Sequence, residues 1–203
     1  LYSSFDGVSV RFIIFFIIGL SAIAASIKYT AGKNPYGYKG FGDIFVFIFF
    51  GPVAVCGVYF LITGNLDSPI WFAATGMGLL CTGVLNINNI RDLDNDKARG
   101  KITIPVLLGY KRAITYHVFL IVSGNLLLLI YALIFFNLNS CPSVNFKLIG
   151  LIFLLLVPLY FKGIFSVIKA SERMDYNLQL KKLSLLNLML SLVFGISQII
   201  SLC

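Results

Sequence analysis

The chain has 203 residues, of which 59% are hydrophobic and only 12% are charged, and its mean hydropathy is +0.93. These values exclude an ordinary soluble domain and predict a polytopic membrane protein. The formal net charge of +8 could indicate nucleic-acid binding, but that would need a basic face exposed to water, and the sequence offers none. We therefore expect the lipid bilayer as a partner and no nucleic acid.

Six apolar segments are each long enough to cross a hydrocarbon core of about 30 Å. They do not alternate as barrel strands do, so we expect helices. The predicted fold class is an all-α, polytopic membrane helix bundle, and no linker divides the single predicted domain, residues 1–203. The predicted spans cover residues 8–27, 41–62, 70–87, 113–136, 146–165 and 183–202.

The basic residues are distributed unevenly over the connections between these spans. All but two of the 16 Lys and Arg residues lie in or beside the first, third and fifth connections, and the exceptions are Arg11 and Lys147. By the positive-inside rule, these three connections face the cytoplasm. We therefore expect a multi-pass protein of the cytoplasmic (inner) cell membrane whose active site faces the cytoplasm.

The third connection, NINNIRDLDNDKARGK, has the densest group of ionisable side chains. Asn88, Asp92 and Asp96 recur at every fourth position, which on a helix would place them in one row. Two carboxylates and an amide suit Mg²⁺, which proteins often hold together with substrate phosphates. The same charges would equally fit a plain cytoplasmic anchor. Phosphate oxygens would be bound by the neighbouring Arg91, Arg99 and Lys101.

The first connection, IKYTAGKNPYGYKGFGDI, is rich in tyrosine, glycine and lysine and is longer than the usual 4 to 6 residues. Tyrosines can stack on an aromatic ring, and glycines let the backbone approach a ligand. An interfacial aromatic belt with lysine anchors is the alternative interpretation. Since both connections lie on one side of the membrane, we expect them to line a common cavity. Its candidate residues are Tyr29, Lys33, Tyr36, Tyr38 and Lys39.

A cavity with lipid walls and a carboxylate rim suggests a substrate with an apolar tail and a phosphate head, such as polyprenyl diphosphate. A lipid phosphate transferase or an ion carrier would share these features. CDP-alcohol phosphotransferases also have a DxxxD spacing, but this chain lacks their DGxxAR half. A transporter would be expected to have charges beside broken helices near the midplane. No acid accompanies Pro52 or Pro158 in the predicted spans.

Two segments resemble a known family. NNIRDLDNDKARGKITIPVLLG resembles the second Asp-rich motif of the UbiA-type intramembrane prenyltransferases, and YTAGKNPYGYKGFGDIFVFIFFGPVAVCG resembles the loop and following helix of their 1,4-dihydroxy-2-naphthoate branch. The two motifs occur in the expected order over residues 29–112. The YPxxKR-like loop expected of the 4-hydroxybenzoate branch is absent from the sequence.

The resemblance implies a nine-helix bundle, of which this chain would supply six helices. The chain begins with Leu1 and no signal peptide, so we expect a fragment. Its upstream helices, with the first Asp-rich motif NDxxD, are expected to be missing. The chain would then carry half of a metal site, and the isolated fragment is expected to be inactive.

The resemblance also implies a reaction. A polyprenyl group would pass from polyprenyl diphosphate to 1,4-dihydroxy-2-naphthoate, giving demethylmenaquinone, CO₂ and diphosphate. Mg²⁺ would be the cofactor, held by Asp92 and Asp96 with help from Asn88, and Lys39 would take part in catalysis. The alternatives are a 4-hydroxybenzoate prenyltransferase, a lipid phosphate transferase and a non-enzymatic transporter. Substrate binding is assigned by the resemblance to Arg91, Arg99, Lys101, Lys33, Tyr29, Tyr36 and Tyr38.

Two further features are interpreted as structural. Gly76, Gly78 and Gly83 in the third span predict close helix packing. His117 is expected to anchor the fourth span rather than to act as a base.

Overall fold

The computed structural model describes residues 10–30, 36–138, 150–170 and 172–200. Within these ranges the secondary structure is helical, apart from one isolated bridge between Lys39 and Ile102. Six helical stretches are long and apolar enough to cross a membrane. This confirms the predicted all-α polytopic membrane fold.

The helices follow the predicted spans closely. The first four spans are α1 (Val10–Thr30); α2 (Gly42–Ile48) with a π-helix (Phe49–Cys56) and α3 (Gly57–Thr63); α4 (Ile70–Arg91); and α7 (Tyr110–Leu138). Two short helices in the third connection are α5 (Leu93–Ala98) and α6 (Ile104–Leu108). The last two spans are a 3₁₀ turn (Ile152–Leu156) with α8 (Val157–Lys169), and α9 (Arg173–Ile200).

The second span is not the uninterrupted α-helix that hydropathy suggests. Its middle part, Phe49–Cys56, is a π-helix that contains Pro52. Proline has no backbone N–H and its ring clashes with the carbonyl one turn earlier. A locally widened helix is one way in which a span accommodates that clash.

The central helix is α4, which packs against α2, the π-helix, α7 and α9. Small residues bring its backbone close to its neighbours on two faces. A Cβ added to Gly51 would lie 2.5 Å from the carbonyl oxygen of Ala74 and 2.9 Å from Cα of Gly78. On another face, a Cβ on Gly76 would lie 2.9 Å from the carbonyl oxygen of Gly124 in α7. The predicted packing role of these glycines is confirmed.

Buried amides also hold α4 in place. The side chain of Asn187 donates to the carbonyl of Leu80 at 3.0 Å and accepts from the Tyr160 hydroxyl at 2.8 Å. Asn86 donates to the carbonyl of Ala113 at 3.1 Å. Such interhelical bonds are worth about 0.6 kcal/mol each in a membrane protein. Together they connect α4 to α7, α8 and α9.

The last span begins much earlier than predicted, at Arg173 instead of residue 183. Its first turns are too polar to be recognised by hydropathy, yet they pack against the bundle. The hydroxyls of Tyr176 and Tyr110 both donate to the carbonyl of Ala170, at 3.0 Å and 2.7 Å. The fifth connection is therefore held against the start of α7.

The glycine contacts of α4 lead to a stability prediction. A Cβ on Gly78 would lie 2.8 Å from the Phe47 carbonyl oxygen, so we expect Gly78→Ala to destabilise the protein by about 1–3 kcal/mol through overpacking. The matched control is Gly195→Ala, because no atom of the described residues outside its own helix turn lies within 4 Å of a Cβ there. Thermal unfolding in detergent measures both variants. Equal midpoints for the two would contradict the close packing.

Candidate functional site

The first and third connections meet at the end of the bundle. The backbone N–H of Ile102 donates to the carbonyl of Tyr38 at 2.9 Å, beside the Lys39–Ile102 bridge. Gly40 and Gly100 have φ values of +83° and +68°, which glycine adopts without steric cost. These turns let both connections approach each other. The two connections are therefore in contact, and the common cavity that they were expected to line stays a prediction.

The Asn88–Asp92–Asp96 row is interrupted, contrary to the prediction of one continuous helix. α4 ends at Arg91, Asp92 has φ −102° and ψ 10°, and α5 begins at Leu93. The backbone N–H groups of Asp92 and Asp96 still bond the carbonyls four residues earlier, at 3.2 Å and 2.8 Å. Asp has a low helix propensity, and the structure uses Asp92 as an ion-pair partner at the break.

A cluster of five polar side chains surrounds this break and joins α4 to α9. The Arg91 guanidinium donates to Asn88 Oδ1 at 2.9 Å and to Asn177 Oδ1 at 3.0 Å. It also pairs with the Asp92 carboxylate, to which Arg173 donates at 3.0 Å. We call these five residues the Arg91 cluster. It brings the predicted Asn88, Arg91 and Asp92 together.

Sequence reasoning missed the contribution of α9 to this cluster. Arg173 was interpreted only as a topological charge, and Asn177 was not singled out. The available signal was their separation of four positions, which places them on one face of a helix. That signal needs a helix starting at Arg173, which hydropathy alone does not indicate.

The Arg91 guanidinium holds the pKa of the Asp92 carboxyl below its usual value of 3.8, and Arg173 lowers that pKa further, while partial burial opposes both. A carboxylate is favoured in its charged form by an adjacent cation. Asp92 is therefore ionised at neutral pH and remains so in mildly acidic solution. It is available as an anionic oxygen ligand.

Asp96 forms a second group with residues of both connections. Its carboxylate pairs with the Lys101 ammonium at 3.0 Å, and that ammonium lies 5.7 Å from the centroid of the Tyr38 ring. The geometry is that of a cation–π contact. The structure thus brings the predicted Asp96, Lys101 and Tyr38 into direct contact. Asp94, between the two groups, is exposed.

Tyr29 packs against the first connection. A Cβ on Gly37 would lie 2.6 Å from the Tyr29 carbonyl oxygen, and one on Gly42 would lie 3.4 Å from its ring. The side chain of Lys39 is exposed, although its backbone forms the bridge to the third connection.

The remaining predicted residues are less well placed. Arg99 is exposed at the end of α5 and has no ion-pair partner among the described residues. Lys33 lies outside the described residues, and Tyr36 is described only by its backbone, in the 3₁₀ turn Tyr36–Tyr38. The catalytic, metal-binding and substrate-binding roles assigned to these three residues, and to the other predicted site residues, stay predictions.

A buried acid, Asp43, also lies close to this region and was missed. It is 6% exposed at the start of α2 and accepts a hydrogen bond from the Tyr116 hydroxyl at 3.1 Å. The bond connects α2 to α7. An acid in the first turn of a predicted span was the sequence signal that could have identified it.

The donor set fits part of a Mg²⁺ site. Within the described part of the chain, no group of three or more His, Cys, Asp or Glu side chains could hold a metal ion. Asp92, Asp96 and Asn88 offer hard oxygen ligands, and Mg²⁺ is commonly bound by one or two carboxylates plus substrate phosphates. The residues therefore fit a site that substrate oxygens complete.

Comparison with known proteins identifies relatives of the chain. The 1,4-dihydroxy-2-naphthoate octaprenyltransferase of Haemophilus influenzae is 36% identical over 183 residues, which are 90% of this chain and 56% of the relative. The enzyme of that name from Escherichia coli K12 is 43% identical over 151 residues, or 74% of this chain and 46% of the relative. The one from Mycobacterium tuberculosis is 42% identical over 108 residues, or 53% and 37%.

The chain thus spans about half the length of these curated relatives. No solved structure matches it. A model of the UbiA prenyltransferase family matches residues 9–164, a range that contains both loop motifs and the Asp92–Asp96 pair. With most of its length covered by that match, the chain belongs to the UbiA prenyltransferase family.

Proposed function

We propose that the full-length protein transfers a polyprenyl group from polyprenyl diphosphate to 1,4-dihydroxy-2-naphthoate, with release of CO₂ and diphosphate and formation of demethylmenaquinol, the reduced form of demethylmenaquinone. The names of three relatives that are 36–43% identical support this acceptor. The structural observation that carries the proposal is the pairing of two carboxylates with Arg91, Arg173 and Lys101 where the first, third and fifth connections meet. In this arrangement the carboxylates can bind a metal ion while the basic side chains bind the oxygens of a diphosphate.

The metal in this proposal is Mg²⁺, and Asp92, Asp96 and Asn88 would hold it. When bound, Mg²⁺ would neutralise negative charge on the departing diphosphate. Arg91 orients two of the three oxygen donors, because its guanidinium bonds both Asn88 and Asp92. Lys101 does the same for Asp96.

Basic side chains of the chain bind the diphosphate leaving group. Arg173 has a side chain that is 64% exposed, so it can turn from Asp92 towards a diphosphate oxygen. Departure of the diphosphate breaks the C–O bond and leaves an allylic cation. The Tyr38 ring, which already faces the Lys101 ammonium, can stabilise positive charge nearby. The ring carbon that bears the carboxylate then forms the new C–C bond, and the electron pair of the carboxyl C–C bond returns to the ring as CO₂ leaves, which restores aromaticity.

The acceptor itself is testable. We expect the purified full-length protein, given Mg²⁺ and a radiolabelled polyprenyl diphosphate, to prenylate 1,4-dihydroxy-2-naphthoate and to leave 4-hydroxybenzoate unmodified. Thin-layer chromatography of the lipid extract measures both products. Prenylation of 4-hydroxybenzoate alone would replace the proposed acceptor.

The metal site predicts a difference between neighbouring acids. Asp92→Asn and Asp96→Asn are each expected to lower kcat by at least about 100-fold, because each removes one anionic ligand of the metal–diphosphate complex. Asp94→Asn is the matched control, since the Asp94 side chain is exposed and makes no ion pair with other described residues. Initial rates at saturating substrate measure the effect. Equal losses in all three variants would remove the assignment.

We also propose that the Arg91 cluster faces the cytoplasm in the inner membrane, because the basic connections lie on its side. With the four native cysteines replaced by serine, Lys97→Cys in α5 should react with a membrane-impermeant maleimide only in inside-out vesicles. Leu66→Cys, in the exposed second connection, should react only in right-side-out vesicles. The opposite pattern would reverse the proposed orientation.

A further inference from the structure

A cavity of about 310 Å³ lies between α4, α7, α8 and α9. Its volume falls at the lower end of the range for small organic ligands, roughly 300–1,000 Å³. Most of its wall is apolar, and the polar exceptions are few. Those that matter here are His117, Gln179, Lys162 and Lys182.

His117 is 2% exposed, and its ring lines this cavity. The ring hydrogen-bonds the backbone of Gly83 in α4, which agrees with the predicted anchoring of the fourth span. Among the described residues, its Nδ1 has no hydrogen-bond partner. In a neutral imidazole, the bond from Nε2–H to a carbonyl leaves Nδ1 as an acceptor. The cavity therefore offers a buried acceptor that a hydroxyl group could satisfy.

The cavity lies directly below the Arg91 cluster on the same side of α4. Ile87, in its wall, precedes Arg91 by four residues, which is one helical turn or about 6 Å. A molecule in the cavity would thus lie within reach of a substrate whose diphosphate is bound at the cluster.

Charge at the opening indicates an acidic ligand. Lys162 of α8 and Lys182 of α9 both line the cavity with exposed side chains. No Asp or Glu is among the described lining residues. Lysines whose stems lie along an apolar wall can keep their ammonium groups at the polar edge. A carboxylate at the opening would find two cations and no competing anion.

We propose that this cavity binds the aromatic acceptor, a flat hydroxyaryl carboxylate, with its hydroxyl donating to His117 Nδ1 and its carboxylate beside Lys162 and Lys182. The assignment rests on the proposed function for the identity of the acid. In 1,4-dihydroxy-2-naphthoate, the 1-hydroxyl is bonded internally to the adjacent carboxylate. The 4-hydroxyl is the free donor; it is meta to the carboxylate and lies across the ring from the 1-hydroxyl. His117 therefore selects for the 4-hydroxyl.

A prenyl chain or an anionic lipid fits the cavity less well. A prenyl chain has no polar group, so it would leave the buried Nδ1 of His117 unsatisfied, which costs free energy. The phosphodiester group of a membrane lipid has only acceptor oxygens, and these cannot donate to Nδ1. A hydroxyaryl acid supplies one donor, one anion and an apolar body, and so matches all three features.

The test measures equilibrium binding by anaerobic titration calorimetry, with the full-length protein in phosphatidylcholine nanodiscs. The two probes are 1,4-dihydroxy-2-naphthoate and 1-hydroxy-2-naphthoate, which lacks the 4-hydroxyl. We expect the first to bind about tenfold more tightly, because only it satisfies His117. His117→Phe should abolish that preference, and His117→Asn, whose Oδ1 can accept in place of Nδ1, should restore it.

The lysines have a matched control on the same helix. Lys182→Gln should weaken both probes severalfold, whereas Lys181→Gln should weaken neither, because Lys181 is exposed and lies outside the cavity wall. The KM for polyprenyl diphosphate should stay unchanged in the His117 variants. A general loss of folding would raise it.

Several results would overturn the assignment. These are equal affinity of the wild-type protein for the two probes, an unchanged preference in His117→Phe, and displacement of both probes by phosphatidylglycerol in the nanodisc. The difference in affinity of the wild-type protein for the two probes tests the assignment even if a variant fails to fold. Prenyl transfer without any dependence on His117 would reject the cavity and keep the proposed function. Binding of the probes that depends on His117, in a protein that transfers no prenyl group, would support the cavity assignment and reject the proposed function.

Discussion

The Arg91 guanidinium is the group on which the rest of the site depends. It stands at the end of the central helix and bonds Asn88, Asp92 and, from α9, Asn177. A charged group close to the hydrocarbon region is stable only when its hydrogen bonds are satisfied. The polar first turns of α9 supply one of those bonds and a second cation, Arg173. These bonds therefore hold the third and fifth connections together at the Arg91 cluster.

Close packing determines where this cluster lies. Because Gly78 and Gly76 let α4 approach α2 and α7 at backbone distance, α4 lies inside the bundle and its end carries the cluster to the centre of the rim. The same helix face continues inward past Ile87 to the apolar cavity. One helix thus presents a polar end for a diphosphate and an apolar wall below it. That combination suits reactants that are themselves part charged and part apolar.

The first connection is attached to this centre by weak contacts. One backbone bond from Ile102 to Tyr38 and one cation–π contact from Lys101 are worth about 1 kcal/mol each. The pairing still has a chemical consequence, since Lys101 is also the partner of Asp96. An aromatic face, a cation and a carboxylate are held together by residues of two separate connections.

The sequence by itself determined that there are six spans, which connections are basic, and which two motifs indicate the family. Hydropathy, charge and motif spacing belong to each segment alone, so no knowledge of packing was needed. Only the tertiary structure decided the break at Asp92, the π-helix at Pro52, the early start of α9 and the cavity beside His117. Each depends on contacts between distant residues, such as Arg91 and Asn177, which are 86 positions apart. A pattern read along the chain does not specify which distant side chain completes a hydrogen bond.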